Sequence, residues 1–282
     1  MSVEVFLTSI LQGLILAFVA YGVMIPFRIL DFPDLTAEGA YPLGGAVCAS
    51  YLLIGGSPIV ATLLGALAAG IMATGTAFAH LRLKVNTLLA GIILSTMVYS
   101  VNLRLMGKPN LALFNHTTLY GENWQHNVLL LLGFLLLTIL PLFLFLKTEA
   151  GLRLRAVGFN PLFMQRQNIS VARYTYLGLF IAGCFSGISG SLMVQYQSYM
   201  DIGMGVGIVI HALAALMIGE ALLGTKKLTH QLAAPLVGAL VYQQIQGFAL
   251  SLGLAPTDLK FFTGALVLIV IGLRRAVEAR SA

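Results

Sequence analysis

The sequence predicts an all-α protein, a polytopic membrane helical bundle of about nine (eight to ten) transmembrane helices, and three observations carry that prediction. Composition is the first: of 282 residues, 59% are hydrophobic and 9% charged, with a mean hydropathy of +0.93, whereas soluble domains carry roughly a quarter charged residues. The second is that apolar stretches recur at the length, roughly 20 residues, needed to cross a hydrocarbon core about 30 Å thick. The third is the placement of the cations, which the order of the spans makes visible.

The first span, 4–25, has no basic segment before it, carries Glu4 and lacks a small-residue cleavage site, so it stays attached as a helix and ends near Pro26. RILDFPDLTAEGA (28–40) follows, an acidic, Pro-containing run before the second span, 36–54; it reads as a broken helix or as an interfacial loop with Asp34 or Thr36 capping the helix. The third, 58–79, opens at Pro58 and contains GALAAGIMATG, and the sixth, 172–195, contains GCFSGISGS. Such closely spaced small residues favour tight helix packing in lipid. Spans at 85–105, 128–146, 205–222, 231–250 and 258–273 complete the series, with no linker between them, so 1–282 is one membrane domain.

Thirteen of the 16 Lys and Arg lie on the odd-numbered connections and the carboxyl tail: Arg28, Arg82, Lys84, five within 147–173, Lys226, Lys227 and three after 273. Only Arg104, Lys108 and Lys260 lie on the even ones. This split places the 147–173 connection and the carboxyl terminus in the cytoplasm, and explains the formal charge of +6 without a nucleic-acid partner. Cys48 and Cys184 sit in apolar stretches far from any metal-ligand spacing and read as packing residues. GEALLGTKKL (219–228) has the spacing of a phosphate-binding loop but Thr225 where that loop requires Lys, so the chain carries no ATP site of its own.

The 147–173 connection is longer than a turn needs. Thr148 and Glu149 begin a helix, LRLRAV continues it, and Gly158 ends it before Asn160 and Pro161. The stretch EAGLRLRAVGFNPLFMQRQNISVARYTYLGLFIAGCFSGISGSL resembles the cytoplasmic loop and following helix of permease subunits of bacterial ABC importers of the branched-chain amino acid and ribose type. The matching residues are Gly151, Arg155, Ala156, Gly158, Asn160, Pro161 and Ile169, with Asn168 where the family usually has Gly. RILDFPDLTAEGAYPLGGAVCA (28–49), YSVNLRLMGKPNLAL (99–113) and MDIGMGVGIVIHALAALMIGEALLG (200–224) resemble a subgroup often assigned to tryptophan or other aromatic amino acids.

The resemblance implies a multi-pass subunit of the bacterial inner membrane whose short helix, with Glu149, Gly151, Arg153, Arg155, Ala156, Gly158, Asn160 and Pro161, couples to an ABC ATPase. It further implies two ATPase copies, a second copy of this chain and a substrate-binding protein as partners, with ATP and Mg held by the ATPase and no cofactor in this chain. Asp34, Thr36, Glu38, Gly39, Asn86 and Gln195 are the expected path residues, because polar groups at membrane depth commonly line a route. Asn102, Arg104 and Lys108 form the expected outer docking surface for the binding protein.

Two other classes compete. Gly187-Ile188-Ser189-Gly190 with His211 on the next span resembles the dyad of rhomboid intramembrane proteases, in which histidine activates serine. An ATP-independent secondary transporter would use the acids near the second span but has no need of a projecting cytoplasmic helix.

Overall fold

The computed structural model describes residues 3–225 and 227–253 without interruption, and beyond them residues 258, 261, 263–265, 268, 269 and 272. Helix α1 (Val3–Met24) runs into a π-helical turn, Ile25–Ile29, and an extended segment leads to α2 (Ala37–Leu53). α3 (Pro58–Leu83) and α4 (Thr87–Met106) follow, then a short strand β1 (Asn110–Ala112) and α5 (Trp124–Lys147). Two short helices, α6 (Glu149–Phe159) and α7 (Pro161–Arg166), lead into α8 (Val171–Gln197), β2 (Tyr199–Asp201), α9 (Ile208–Leu223) and α10 (Leu228–Ser251).

Helix boundaries follow local chemistry. Pro58 opens α3 at a position whose N–H has no helical partner, and α3 closes on Lys84 in the left-handed region. The Asn86 side chain caps α4 by accepting from Leu88 N, and Gly107 with φ of 70° closes it. Asn168 has φ of 59° between α7 and α8. That explains the departure noted at this position: glycine reaches the left-handed region freely, and asparagine is among the few side chains that tolerate it.

Small residues then let backbones meet. A Cβ added to Gly183 would lie 2.5 Å from the Ala69 oxygen, and one on Gly187 2.7 Å from the Gly65 oxygen, so α8 rests directly on the backbone of α3. α2 packs into the same seam, where a Cβ on Gly65 would lie 2.6 Å from the Gly44 oxygen. α1 is buried along its whole second half, from Leu14 to Met24. In contrast α4 and α5 leave Ile92, Met97, Leu129, Leu136 and Leu137 exposed, the pattern of helices facing lipid or another chain.

Among the described residues, five helical stretches are long and apolar enough to cross a membrane: Glu4–Ile29, Pro58–Leu83, Thr87–Met106, Trp124–Lys147 and Val171–Gln197. The expected spans 36–54, 205–222 and 231–250 are also helical, but α2 and α9 have 17 and 16 residues. α10 carries Gln231, Gln243, Gln244 and Gln246 among its 24 residues. The ninth span, 258–273, and most of the carboxyl tail lie outside the continuously described residues. The break expected near Pro26 is the π-turn and the extended segment after it.

Odd-numbered connections gather at one end of the bundle. Arg28 pairs with Glu220, the 158 region packs on Ile29, and Arg82 and Lys84 share a cleft with Gln165 and Asn168. At the opposite end β1 and β2, from the fourth and sixth connections, form an antiparallel ribbon with Leu111 opposite Met200.

Candidate functional site

At the basic end α6 and α7 make a projecting elbow. The Thr148 hydroxyl accepts from Gly151 N at 3.3 Å, capping α6. Asn160 closes α6 by donating its N–H to Ala156 O, and its Oδ1 accepts from Phe163 N at 2.9 Å to open α7, with Pro161 at the first position. Gly158 does not end α6, as the sequence suggests; the helix continues to Phe159, and the glycine is needed for contact. A Cβ there would lie 2.8 Å from both Ile29 C and Leu30 Cα and overlap the Ile29 oxygen outright. A Cβ on Gly151 would lie 2.5 Å from Leu146 Cα, so the two glycines seat the helix at both ends.

With Gly151, Leu154, Val157 and Gly158 buried, the elbow turns other residues outward. Phe159 is 94% exposed and Leu162 69%, and Phe163 and Leu152 are exposed as well, large apolar side chains turned away from the bundle. Arg153 is exposed and pairs with Glu149 four residues earlier. The Tyr174 hydroxyl and then the Glu149 carboxylate hold its guanidinium above the usual pKa. Arg155 and Ala156 line a cleft of about 650 Å³ with Phe27, Arg28, Asp31 and Gln231.

The expected path residues do not share one site. Asp31 is exposed, Asp34 is buried and Glu38 half-buried. Asp34 Oδ1 accepts from Thr36 N at 2.9 Å and from the Thr36 hydroxyl, which in turn meets Thr76 Oγ1 at 2.7 Å. Gly91 of α4 allows the approach, since a Cβ there would lie 2.6 Å from Asp34 Oδ1. Gly39 packs in the same way on Ser95. The cavity beside Asp34 and Thr36 measures about 10 Å³, room for one water and far less than an amino acid. This polar cluster ties α2, α3 and α4 together and lines no open route in this conformation.

Gln195 sits near the ribbon end with its amide committed: Nε2 donates to Thr62 Oγ1 at 2.8 Å and to Ser191 O, and Oε1 accepts from Leu119 N at 3.2 Å. Asn86 lies at the basic end, exposed, as the cap of α4. Arg104 and Lys108 are exposed, as a docking surface requires, but Asn102 is fully buried, so its amide cannot meet a binding protein. The Ser189 hydroxyl donates to Ile15 O at 2.7 Å inside the α1/α8 contact, and the His211 ring packs against Tyr242. The serine is a fully buried helix tie.

Two features escaped the sequence reading. Arg28 and Glu220 form an ion pair at 2.5 Å, with the Glu220 side chain 3% exposed. The signal was an acid inside the apolar 205–222 span. The elbow's exposed aromatic pair also went unread, because apolar residues next to membrane spans look like the spans themselves.

A protein-family model described as "Branched-chain amino acid transport system / permease component" matches residues 5–271. A tyrosine transport system permease protein of Clostridioides difficile is 37% identical over 257 residues, 91% of this chain and 87% of that one. A nucleoside ABC transporter permease protein of Lactococcus lactis is 26% identical over 182 residues, 58% of this chain and 57% of that one. Among solved structures, an inward-facing putative metal-chelate type ABC transporter shares the fold with a TM-score of 0.53 at 18% identity, over 95% of this chain and 83% of that one. With a seated elbow at one end of an apolar bundle and this match along nearly its whole length, the chain belongs to the branched-chain amino acid transport system permease family, the membrane subunits of ABC transporters.

Proposed function

We propose that two copies of this chain form the membrane core of a bacterial inner-membrane importer for an aromatic amino acid, driven by a pair of ABC ATPase subunits and supplied by an external binding protein. The elbow carries this reading. Two glycines fix α6 against the bundle while Phe159, Leu162 and Phe163 face outward between arginines, an apolar centre with a basic rim that suits a protein partner. ATP and Mg belong to that partner. The basic end is then cytoplasmic and the ribbon end external, in agreement with the distribution of Lys and Arg. The aromatic substrate draws on the name of the 37% identical tyrosine permease relative.

The test is reconstitution of the chain with its ATPase and binding protein in proteoliposomes, comparing wild type with a Phe159→Asp/Phe163→Asp variant. The expected result is ATP-dependent uptake of labelled tyrosine by wild type. The variant should insert normally but lose the ATPase on purification and fall to background uptake. Undiminished uptake by the variant, or uptake driven by an ion gradient without ATP, would overturn the reading. ATP-driven uptake of guanosine in place of tyrosine would overturn the substrate alone.

A further inference from the structure

The segment joining α1 to α2 is irregular at two successive points. It begins with the π-turn Ile25–Ile29, a departure from α-geometry that recurs at functional positions. Just after it, Asp31 adopts φ of 49°, a left-handed conformation that costs a non-glycine residue energy. Between these irregularities lies the place where the elbow touches the bundle. Gly158 meets the Ile29 and Leu30 backbone directly, with no flexible side chain between them to absorb a displacement.

One residue before that contact, Arg28 reaches the other way to Glu220 near the end of α9. α9 is itself locked to α10: a Cβ on Gly219 would lie 2.6 Å from Ala234 C, and one on Gly238 2.7 Å from Gly219 N. These two helices are therefore in direct backbone contact, with no side chain between them at these points. A push on the elbow has a backbone contact to the π-turn, then an ion pair, then a backbone-locked pair of helices. The ion pair is the one joint in this series made of side chains, and its acid is buried. A buried carboxylate holds its cationic partner in one geometry, because leaving either charge alone is expensive.

We propose that Arg28 and Glu220 are positioning residues of the transport cycle, a joint through which movement of the elbow is delivered to α9 and α10. The inference rests on the permease reading and adds to it the route by which ATP-driven motion enters this half of the bundle. Cavities flank the joint on both sides. One of about 160 Å³ is lined by Met24, Glu220, Thr225 and Gln231, and the 650 Å³ cleft carries Arg155 and Gly158, which leaves the segment room to move.

The experiment uses the assembled complex in proteoliposomes with Glu220→Gln, Arg28→Glu, and the exchanged pair Arg28→Glu/Glu220→Arg. Expected for Glu220→Gln is an ATPase bound in wild-type amount with unchanged basal hydrolysis, no stimulation by loaded binding protein, and uptake reduced at least about tenfold. The exchanged pair should regain most of the stimulation, because it restores opposite charges across the same gap. Wild-type uptake by Glu220→Gln overturns the proposal. So does loss of stimulation only in proportion to lost complex or lowered melting temperature, or an exchanged pair that assembles without recovery. If wild type itself shows no ATP-dependent uptake, the permease reading fails and not the joint alone.

Discussion

Replacing Gly158 by alanine tests the seating of the elbow with a single methyl group. The new Cβ would start 2.8 Å from Ile29 C and Leu30 Cα, and both are backbone atoms that cannot rotate away. Ordinary van der Waals contact begins near 3.4 Å, so the two carbon contacts alone ask α6 to withdraw by about 0.6 Å, and the overlap with the Ile29 oxygen asks for more. The helix has only 11 residues, and its other end is held by the Thr148 cap and the Gly151 contact, so the shift cannot be spread along it. Overpacking of this kind costs about 1–3 kcal/mol. At roughly 2–4 °C per kcal/mol for a chain of this size, melting in detergent should fall by roughly 2–12 °C. Gly133→Ala is the control, because nothing lies within 4 Å of a Cβ at that position in α5. There the better helix propensity of alanine should leave melting unchanged or raised. Thermal unfolding followed by loss of the monodisperse peak on size exclusion gives both numbers. Equal melting of Gly158→Ala and wild type, or equal losses at both glycines, would refute the direct backbone contact.

Gln195→Ala should strand Leu119 N at a cost of about 1–3 kcal/mol and take a donor from Thr62 Oγ1, which keeps its bond to Pro58 O, read as a lower melting temperature. A changed KM for uptake with unchanged melting would instead return this residue to the path. Asn102→Leu should raise thermal stability, because both polar atoms of the buried amide lack a partner in this structure; a drop in uptake stimulated by binding protein would reveal a working role for the amide. Ser189→Ala should transport at the wild-type rate, and wild type should resist a fluorophosphonate probe, since the hydroxyl is buried and donated to Ile15 O. Labelling at Ser189 would reopen the hydrolase reading.

Much of the architecture was legible because one force dominates it. Apolar length marks a helix in lipid whatever its neighbours are, so the predicted spans at 58–79 and 172–195 fall inside α3 and α8, and 85–105 starts two residues before α4. The first arm of the elbow was legible from its own grammar, Thr148 before Glu149, because capping is local chemistry, whereas Asn160 and Pro161 read as the turn after α6 and not as the start of α7. The role of Gly158 was not, since a glycine near a helix end reads as a stop, and only the fold brings Ile29 against it. The polar residues were least legible. Asp34, Gln195 and Asn86 look alike in sequence, yet one ties three helices together, one links α8 to α3 and the loop before α5, and one caps a helix in the open. Their roles depend on partners 2 to 133 positions away, which no spacing rule encodes.

The ribbon of β1 and β2 limits how this chain can change shape. Besides its own ladder it is extended by Ile202 N donating to Pro109 O and Leu113 N to Ser198 O, so the connection after α4 is stitched to the one after α8 on both flanks. Parting those helices at that end would require unzipping main-chain hydrogen bonds together, whereas a helix held by side chains alone can shift by exchanging rotamers. The ribbon thus acts as a tether across one mouth of the bundle. A doorway on that side has to open along a margin that the tether does not cross.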